Sequence, residues 1–185
     1  YTSKEMTMKY ACLLLCCLYL PGFDAIAQVR ERIELAGTWK LRLDPDNKGK
    51  AQDSLFNDEV ILPGSLEQNK KGSYVNQPST QYLNQTYTYT GAAWYAKEID
   101  VPASWKNRPI SLFLERTKVT RIWIDGQLVG SSRLLSAPQV FDCTGKLTPG
   151  KHQLTIMVDN SPKLVAVGGS HALSEHTQTN WNGIL

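Results

Sequence analysis

From Ile33 onward apolar and polar residues alternate in short runs. "IELAGTWKLRLD" places Trp39, Leu41 and Leu43 on one side, and "WYAKEIDV" does the same with Tyr95, Ile99 and Val101. "ISLFLER" aligns Ile110, Leu112 and Leu114, "VTRIWI" aligns Ile122 and Ile124, and "HQLTIMVDN" aligns Leu154, Ile156 and Val158. A period of two predicts strands with one buried and one wet face, the habit of antiparallel sheet. Asp125-Gly126 falls between two apolar runs and predicts a tight hairpin, because both residues tolerate positive φ. Turn clusters recur at "DPDNKGK", "LPGS", "VPASWKNRP", "LTPGKH" and "NSPK". Beyond the N-terminal leader no helical periodicity persists. The pattern predicts an all-β chain folded as a jelly-roll β-sandwich.

Two polar stretches interrupt the rhythm, Gly64–Ala93 and the tail from Val165 onward. Long irregular segments on a rigid sandwich are where binding residues concentrate. Trp39, Trp94 and Trp123 sit within strand patterns and are expected to pack, since large rings dominate burial. Tyr82, Tyr87, Tyr89 and Trp181 lie outside the alternation, interleaved with Asn, Gln and Thr. Neutral amides and hydroxyls beside aromatic rings suit a sugar, which offers hydroxyl arrays and apolar CH faces. The plainer account is a polar surface between domains.

The N-terminus reads differently. Lys9 follows Met8, an apolar run covers Ala11–Leu20, and "AIA" closes at Ala27. That is the layout of a secretory signal, with residues 1–27 removed, Gln28 the new N-terminus, and residues 1–7 upstream of a plausible start. The run is short of the ~20 residues that a membrane span needs. The expected location is therefore periplasmic or extracellular, with no membrane contact after cleavage. Three of the four cysteines lie in this leader, which leaves Cys143 as a buried thiol without a disulfide partner. The net charge of +3 is spread thinly, with no basic block, so nucleic acid is not an expected partner.

Catalytic and metal signatures are missing. Asp125, Asp142 and Asp159 fall at turns or strand ends, where Asp caps the backbone. Glu115 adjoins Arg116 and suggests a surface ion pair. No pair of carboxylates is marked as flanking a glycosidic bond. "GGSH" is not a nucleophile elbow. His152, His171 and His176 have no metal-ligand spacing, and no cofactor motif is present. Asn84-Gln85-Thr86 matches the N-glycosylation pattern.

Taken together, "LAGTWKLRLDP", "LPGSLEQNKKG", "TYTGAAWYAKEIDVPASWKNRPISLFLERT", "VTRIWIDGQLVG", "APQVFDCTGKLTPGKHQLTIMVDN" and "EHTQTNWNGI" resemble the N-terminal sugar-binding domain of glycoside hydrolase family 2. The resemblance runs from Ile33 to Leu185 in matching order. It implies a galactose-binding-like jelly roll at 28–185, followed in the family by an immunoglobulin-like domain and a catalytic barrel. A barrel takes ~250 residues, more than this chain offers. The family's two catalytic glutamates sit in that barrel, so the resemblance assigns no catalytic residue here. It places the substrate-lining loops near Thr80–Asn84 and His176–Asn180, giving Tyr82, Asn84, His176, Thr177, Gln178, Asn180 and Trp181 as candidate sugar contacts. Some members carry an acidic residue near the position of His176 or Thr177, whereas here Glu175 stands close by. The expected partners are a β-glycoside and further domains of the same polypeptide. Two rivals remain: a stand-alone carbohydrate-binding module with an exposed aromatic platform, and a structural sandwich whose amide-rich loops meet only protein.

Overall fold

In the computed structural model, the described residues are 30–51, 53, 55–77, 85–135, 137–161 and 180–185. Twelve strands are found among them: β1 (Gly37–Asp44), β2 (Asp58–Leu62), β3 (Gly64–Ser65), β4 (Ser73–Tyr74), β5 (Tyr87–Thr88), β6 (Ala92–Val101), β7 (Ser111–Leu114), β8 (Val119–Ile124), β9 (Gln127–Ser132), β10 (Gln139–Asp142), β11 (Gly150–Asp159) and β12 (Gly183–Ile184). The helical content among these residues is one 3₁₀ turn, Ala103–Trp105. The chain divides into Tyr1–Glu34 and Leu35–Leu185. The expected leader, 1–27, lies outside the described residues, and the sandwich belongs to the second unit.

Six strands form one antiparallel sheet in the order β2-β1-β6-β11-β8-β9. β7 pairs with β10 and β12 with β3. Leu185 and Arg116 exchange two backbone hydrogen bonds, N–H to O at 2.9 and 3.3 Å, which tie the end of β12 to the segment after β7. The core fills the space between these layers. Trp39, Leu41, Tyr95, Ile122, Leu154, Ile156 and Val158 come from the large sheet, and Leu112, Leu114, Phe141, Cys143 and Ile184 face them. These are the apolar positions of the period-two runs. Lys97 interrupts the inner row of β6 with a long polar side chain. Its ammonium donates to Ala36 O and Thr38 O, both at 3.2 Å, so the aliphatic stem lies over the core edge while the charge reaches the surface. The Asp125-Gly126 hairpin forms as expected, with φ of 50° and 76°.

The expected wet face is not wet throughout. Ala92–Ala96 of β6 and Leu154–Asp159 of β11 are buried on both sides. The segment after β1 folds back over the outer face, where Ala51, Phe56 and Trp123 pack on Trp94 and Met157. Asp44 organises this cover. Its carboxylate accepts Lys48 N–H at 2.9 Å, Gly49 N–H at 2.7 Å and Trp94 Nε1–H at 3.0 Å. Burial pushes its pKa up, but these bonds and the nearby Arg42 outweigh it and hold the carboxyl below the usual range. Arg42 lies 4.9 Å over the Trp94 ring and 5.6 Å over Phe56. Covering a central strand on both faces erases its alternation.

Gly64–Ala93 also departs from the irregular stretch expected. Its described residues include β3, β4 and β5 and a turn locked by Asn69, whose side chain accepts Ile61 N–H at 2.7 Å and donates to Ser65 O at 2.9 Å. β12 then fastens this region to the sandwich. Leu66 N–H donates to Asn182 O at 2.8 Å, and Gly183 pairs with Ser65. Gly183 has φ of 150°, and a Cβ there would lie 2.4 Å from Gly64 O, so only glycine fits. The Asn182 side chain is 2% exposed. It accepts from Tyr95 OH at 2.8 Å and donates to Val158 O at 2.9 Å and Gly91 O at 3.1 Å.

Replacing Asn182 by Leu would leave the buried Tyr95 hydroxyl without its acceptor and take a side-chain donor from Val158 O and from Gly91 O, the latter keeping Asn160 N–H at 3.4 Å. The expected cost is about 3 kcal/mol or more, lowering Tm by roughly 6–12 °C in thermal unfolding followed by circular dichroism. A shift within about 1 °C would show the network to be dispensable.

His152 joins two turns. Nδ1 lies 2.6 Å from Asp125 Oδ2 and Nε2 lies 2.8 Å from Thr148 O, so both ring nitrogens face acceptors and the imidazolium donates at both. The bond to Asp125 raises the His152 pKa, against burial, and the Thr148 carbonyl adds to the rise. Burial pushes Asp125 upward, but its bonds from His152 and Gln153 N–H outweigh that and hold it low. A raised histidine contributes stability fully below its unfolded pKa of ~6.5 and loses it as pH climbs through the folded value. A lowered aspartate contributes above ~3.9 and loses it in acid. The clasp should therefore be strongest in mildly acidic solution. The Tm gap between wild type and His152→Gln should shrink as pH rises above 7. A gap that is flat from pH 5 to pH 9 would contradict the clasp.

Candidate functional site

β12 returns to the end of the sandwich where β5 enters β6, and most described members of the expected site gather there. Of the seven candidates, Asn180 and Trp181 are described. Tyr82, Asn84, His176, Thr177 and Gln178 lie outside the described residues, as do most of the Val165 tail and the sequon asparagine. Asn180 points inward and is 3% exposed. Its Nδ2 reaches Thr90 Oγ1 at 3.5 Å, and its Oδ1 meets no donor among the described residues. Trp181 is partly buried, with Lys118 Nζ 5.2 Å from its ring centre. Lys118 is itself buried, and that burial lowers its pKa. Tyr87 packs tilted against the exposed Tyr74 across the β4–β5 ladder, ring centres 5.5 Å apart and planes at 59°.

Tyr89, expected among the site aromatics, belongs to the fold. Its hydroxyl accepts Asp44 N–H at 2.8 Å and donates to Ala92 O, and burial holds its pKa far above the ordinary value. Asn160 completes the scaffold, accepting Gly91 N–H at 2.9 Å and donating to Tyr89 O at 2.7 Å. The sequence reading missed Tyr74, Gln85 and Lys118 at this end. Lys118 stands just before an apolar strand, and nothing in its neighbours along the chain announces its burial against a ring more than sixty positions away. Tyr74 did carry a signal, being an aromatic within the polar Gly64–Ala93 stretch.

This end offers neutral amides, hydroxyls, aromatic rings and one ammonium. It does not present an acid–base pair among the described residues. Glu67 Oε1 is occupied by Thr86 N–H at 2.7 Å. Asp142 and Asp159 accept N–H groups two residues on, at 2.9 and 2.8 Å, the capping role expected of them. The expected ion pair between Glu115 and Arg116 is not formed among the described residues, because the chain bends there and Arg116 engages Leu185 through its backbone. Cys143 is fully buried, and burial raises its pKa. No group of three His, Cys, Asp or Glu side chains converges among the described residues to hold a metal ion. No helix among them is long and apolar enough to cross a membrane. Trp94 and Trp123 pack at 5.1 Å on the outer face, with Trp94 only 3% exposed, so the pair offers packing and not an open platform.

Known proteins share this architecture. The sequence model described as glycosyl hydrolases family 2, sugar binding domain, matches residues 33–184. A β-glucuronidase of Paenibacillus borealis is 26% identical over 136 residues, covering 71% of this chain and 21% of that protein. A β-galactosidase of Halalkalibacterium halodurans is 23% identical over 150 residues, 69% of this chain and 14% of that protein. Among solved structures, the Faecalibacterium prausnitzii β-glucuronidase superposes with a TM-score of 0.54 at 23% identity, covering 71% of this chain and 22% of the other. The Ruminococcus gnavus β-glucuronidase in complex with uronic isofagomine gives 0.53 at 23% identity, covering 68% and 20%. At such identities the structures establish the fold, the expected all-β sandwich. The chain spans 21% and 14% of the lengths of the curated relatives it matches. With the family model spanning nearly all of the sandwich, the chain belongs to the sugar-binding domain of glycosyl hydrolase family 2.

Proposed function

We propose that this chain is the N-terminal sugar-binding domain of a secreted, β-galactosidase-like family 2 glycosidase, which hydrolyses O-glycosyl bonds with retention. The catalytic glutamates and the barrel carrying them belong to polypeptide beyond the sandwich. The domain buttresses that barrel and completes its substrate pocket. The observation that carries this reading is the end built by β5, β12 and the start of β6: Trp181, Tyr87, Tyr74 and buried amides, with no acid–base pair among the described residues. His176, Thr177, Gln178, Tyr82 and Asn84 would extend it toward the sugar, a neutral imidazole both donating and accepting hydrogen bonds to hydroxyls.

The 185-residue chain should bind galactose or glucuronate weakly and should not hydrolyse nitrophenyl β-glycosides. NMR titration should show saturable shifts at the Trp181 indole, weakened about ten- to a hundredfold by His176→Ala if that side chain bonds the sugar. Turnover by the purified chain would overturn the assignment of catalysis to another domain. Absence of any sugar-dependent shift would overturn the binding role.

Export is the second part of the proposal, motivated by the Lys9, apolar-run and "AIA" order. Mass analysis of the protein from its native host should find Gln28 at the N-terminus. An intact leader would replace export by retention at the membrane.

A further inference from the structure

The Asn180 amide is left half used. The side chain is 97% buried by area, being 3% exposed, yet its Oδ1 meets no donor among the described residues. A buried acceptor without a partner is destabilising, and folded proteins almost always supply one, from protein or from an ordered oxygen. Two of the neighbouring donors are committed elsewhere. Tyr89 OH donates to Ala92 O, and Asn182 Nδ2 donates to Gly91 O and Val158 O. Beside Asn180 lies a cavity of ≈ 10 Å³, bordered by Gln85, Tyr87, Tyr89, Trp181 and Asn182. That is about the room one water oxygen requires, and far too little for a pyranose ring.

We infer that this cavity is a one-oxygen site, in which a single hydroxyl group seats and donates to Asn180 Oδ1. Two sources share that chemistry. One is a water bound in the free chain, and the other is a hydroxyl that a bound sugar inserts in place of that water. The second rests on the sugar-binding reading; the first does not. Asn180 then contributes to the site through what it orders, and the sugar ring itself stays outside the cavity.

The test is magnetisation transfer from water to the Asn180 side-chain amide protons in the 185-residue chain, alone and with galactose or glucuronate. A long-lived water signal that persists under sugar assigns the site to water, whether or not sugar binds elsewhere. A signal that disappears saturably with sugar, with a matching shift of the Asn180 amide, assigns it to the sugar hydroxyl. Neither a water signal nor a sugar-dependent shift would overturn the proposal. Asn180→Leu removes the acceptor and fills the space, so the water signal should vanish while the rest of the spectrum holds. Should that variant not fold, a crystal structure of the unaltered chain decides. An oxygen about 2.7–3.2 Å from Asn180 Oδ1 supports the site, and a protein donor there with the cavity empty removes it.

Discussion

Asn182 is the constraint on which the rest of the sandwich depends. Its amide oxygen receives the hydroxyl of Tyr95, a side chain at the centre of the core, and its amide nitrogen donates to carbonyls before β6 and within β11. One side chain thus joins the core, the two central strands and the returning C-terminal segment. The backbone on either side extends the effect. Leu66 donates to Asn182 O, Thr117 Oγ1 donates to Gly183 O at 2.8 Å, and Arg116 pairs with Leu185. Without Asn182, three buried polar groups lose partners at once, and such networks stabilise only when every member is satisfied.

A second organiser works on the other face. Asp44 gathers a loop over Trp94, and Arg42 is held over the rings beneath it. Asn47 Nδ2 reaches Asp159 Oδ2 at 3.4 Å, linking this cover to the end of β11. Tyr89 receives Asp44 N–H, so the outer cover and the polar end share one hydroxyl. The position of the site residues therefore depends on both faces of β6. Trp181 and Asn180, the described members of the candidate site, occupy the margin of this scaffold.

Sandwich strands were legible where one face is wet. Trp39 and Leu41 in β1, Leu112 and Leu114 in β7 and the Asp125-Gly126 turn follow from alternation and turn chemistry. The double burial of Ala92–Ala96 was not legible, because it depends on a loop arriving from fifty positions earlier. Lys97 and Lys118 escaped for a related reason: a lysine reads as surface until the carbonyls or the ring that receive it are known. Of the candidate site, composition drew attention to the amide- and aromatic-rich stretches but could not sort roles within them. Asn182 and Tyr89 look like sugar-binding types and serve the fold, since an amide or a phenol presents the same letters to a ligand as to a buried carbonyl. The family resemblance rested on the order of several segments, which no single side chain reveals.

The returning "NWNGI" segment is locked into the sandwich and holds Asn180 and Trp181 as a rigid wall of the candidate site. Native-state hydrogen exchange on the Leu66 amide, which donates to Asn182 O, tests this most directly. Leu66 should exchange only through global unfolding, with the same opening free energy as Ile156 in the middle of β11. Exchange of Leu66 through local opening, at a rate insensitive to denaturant while Ile156 stays protected, would contradict it.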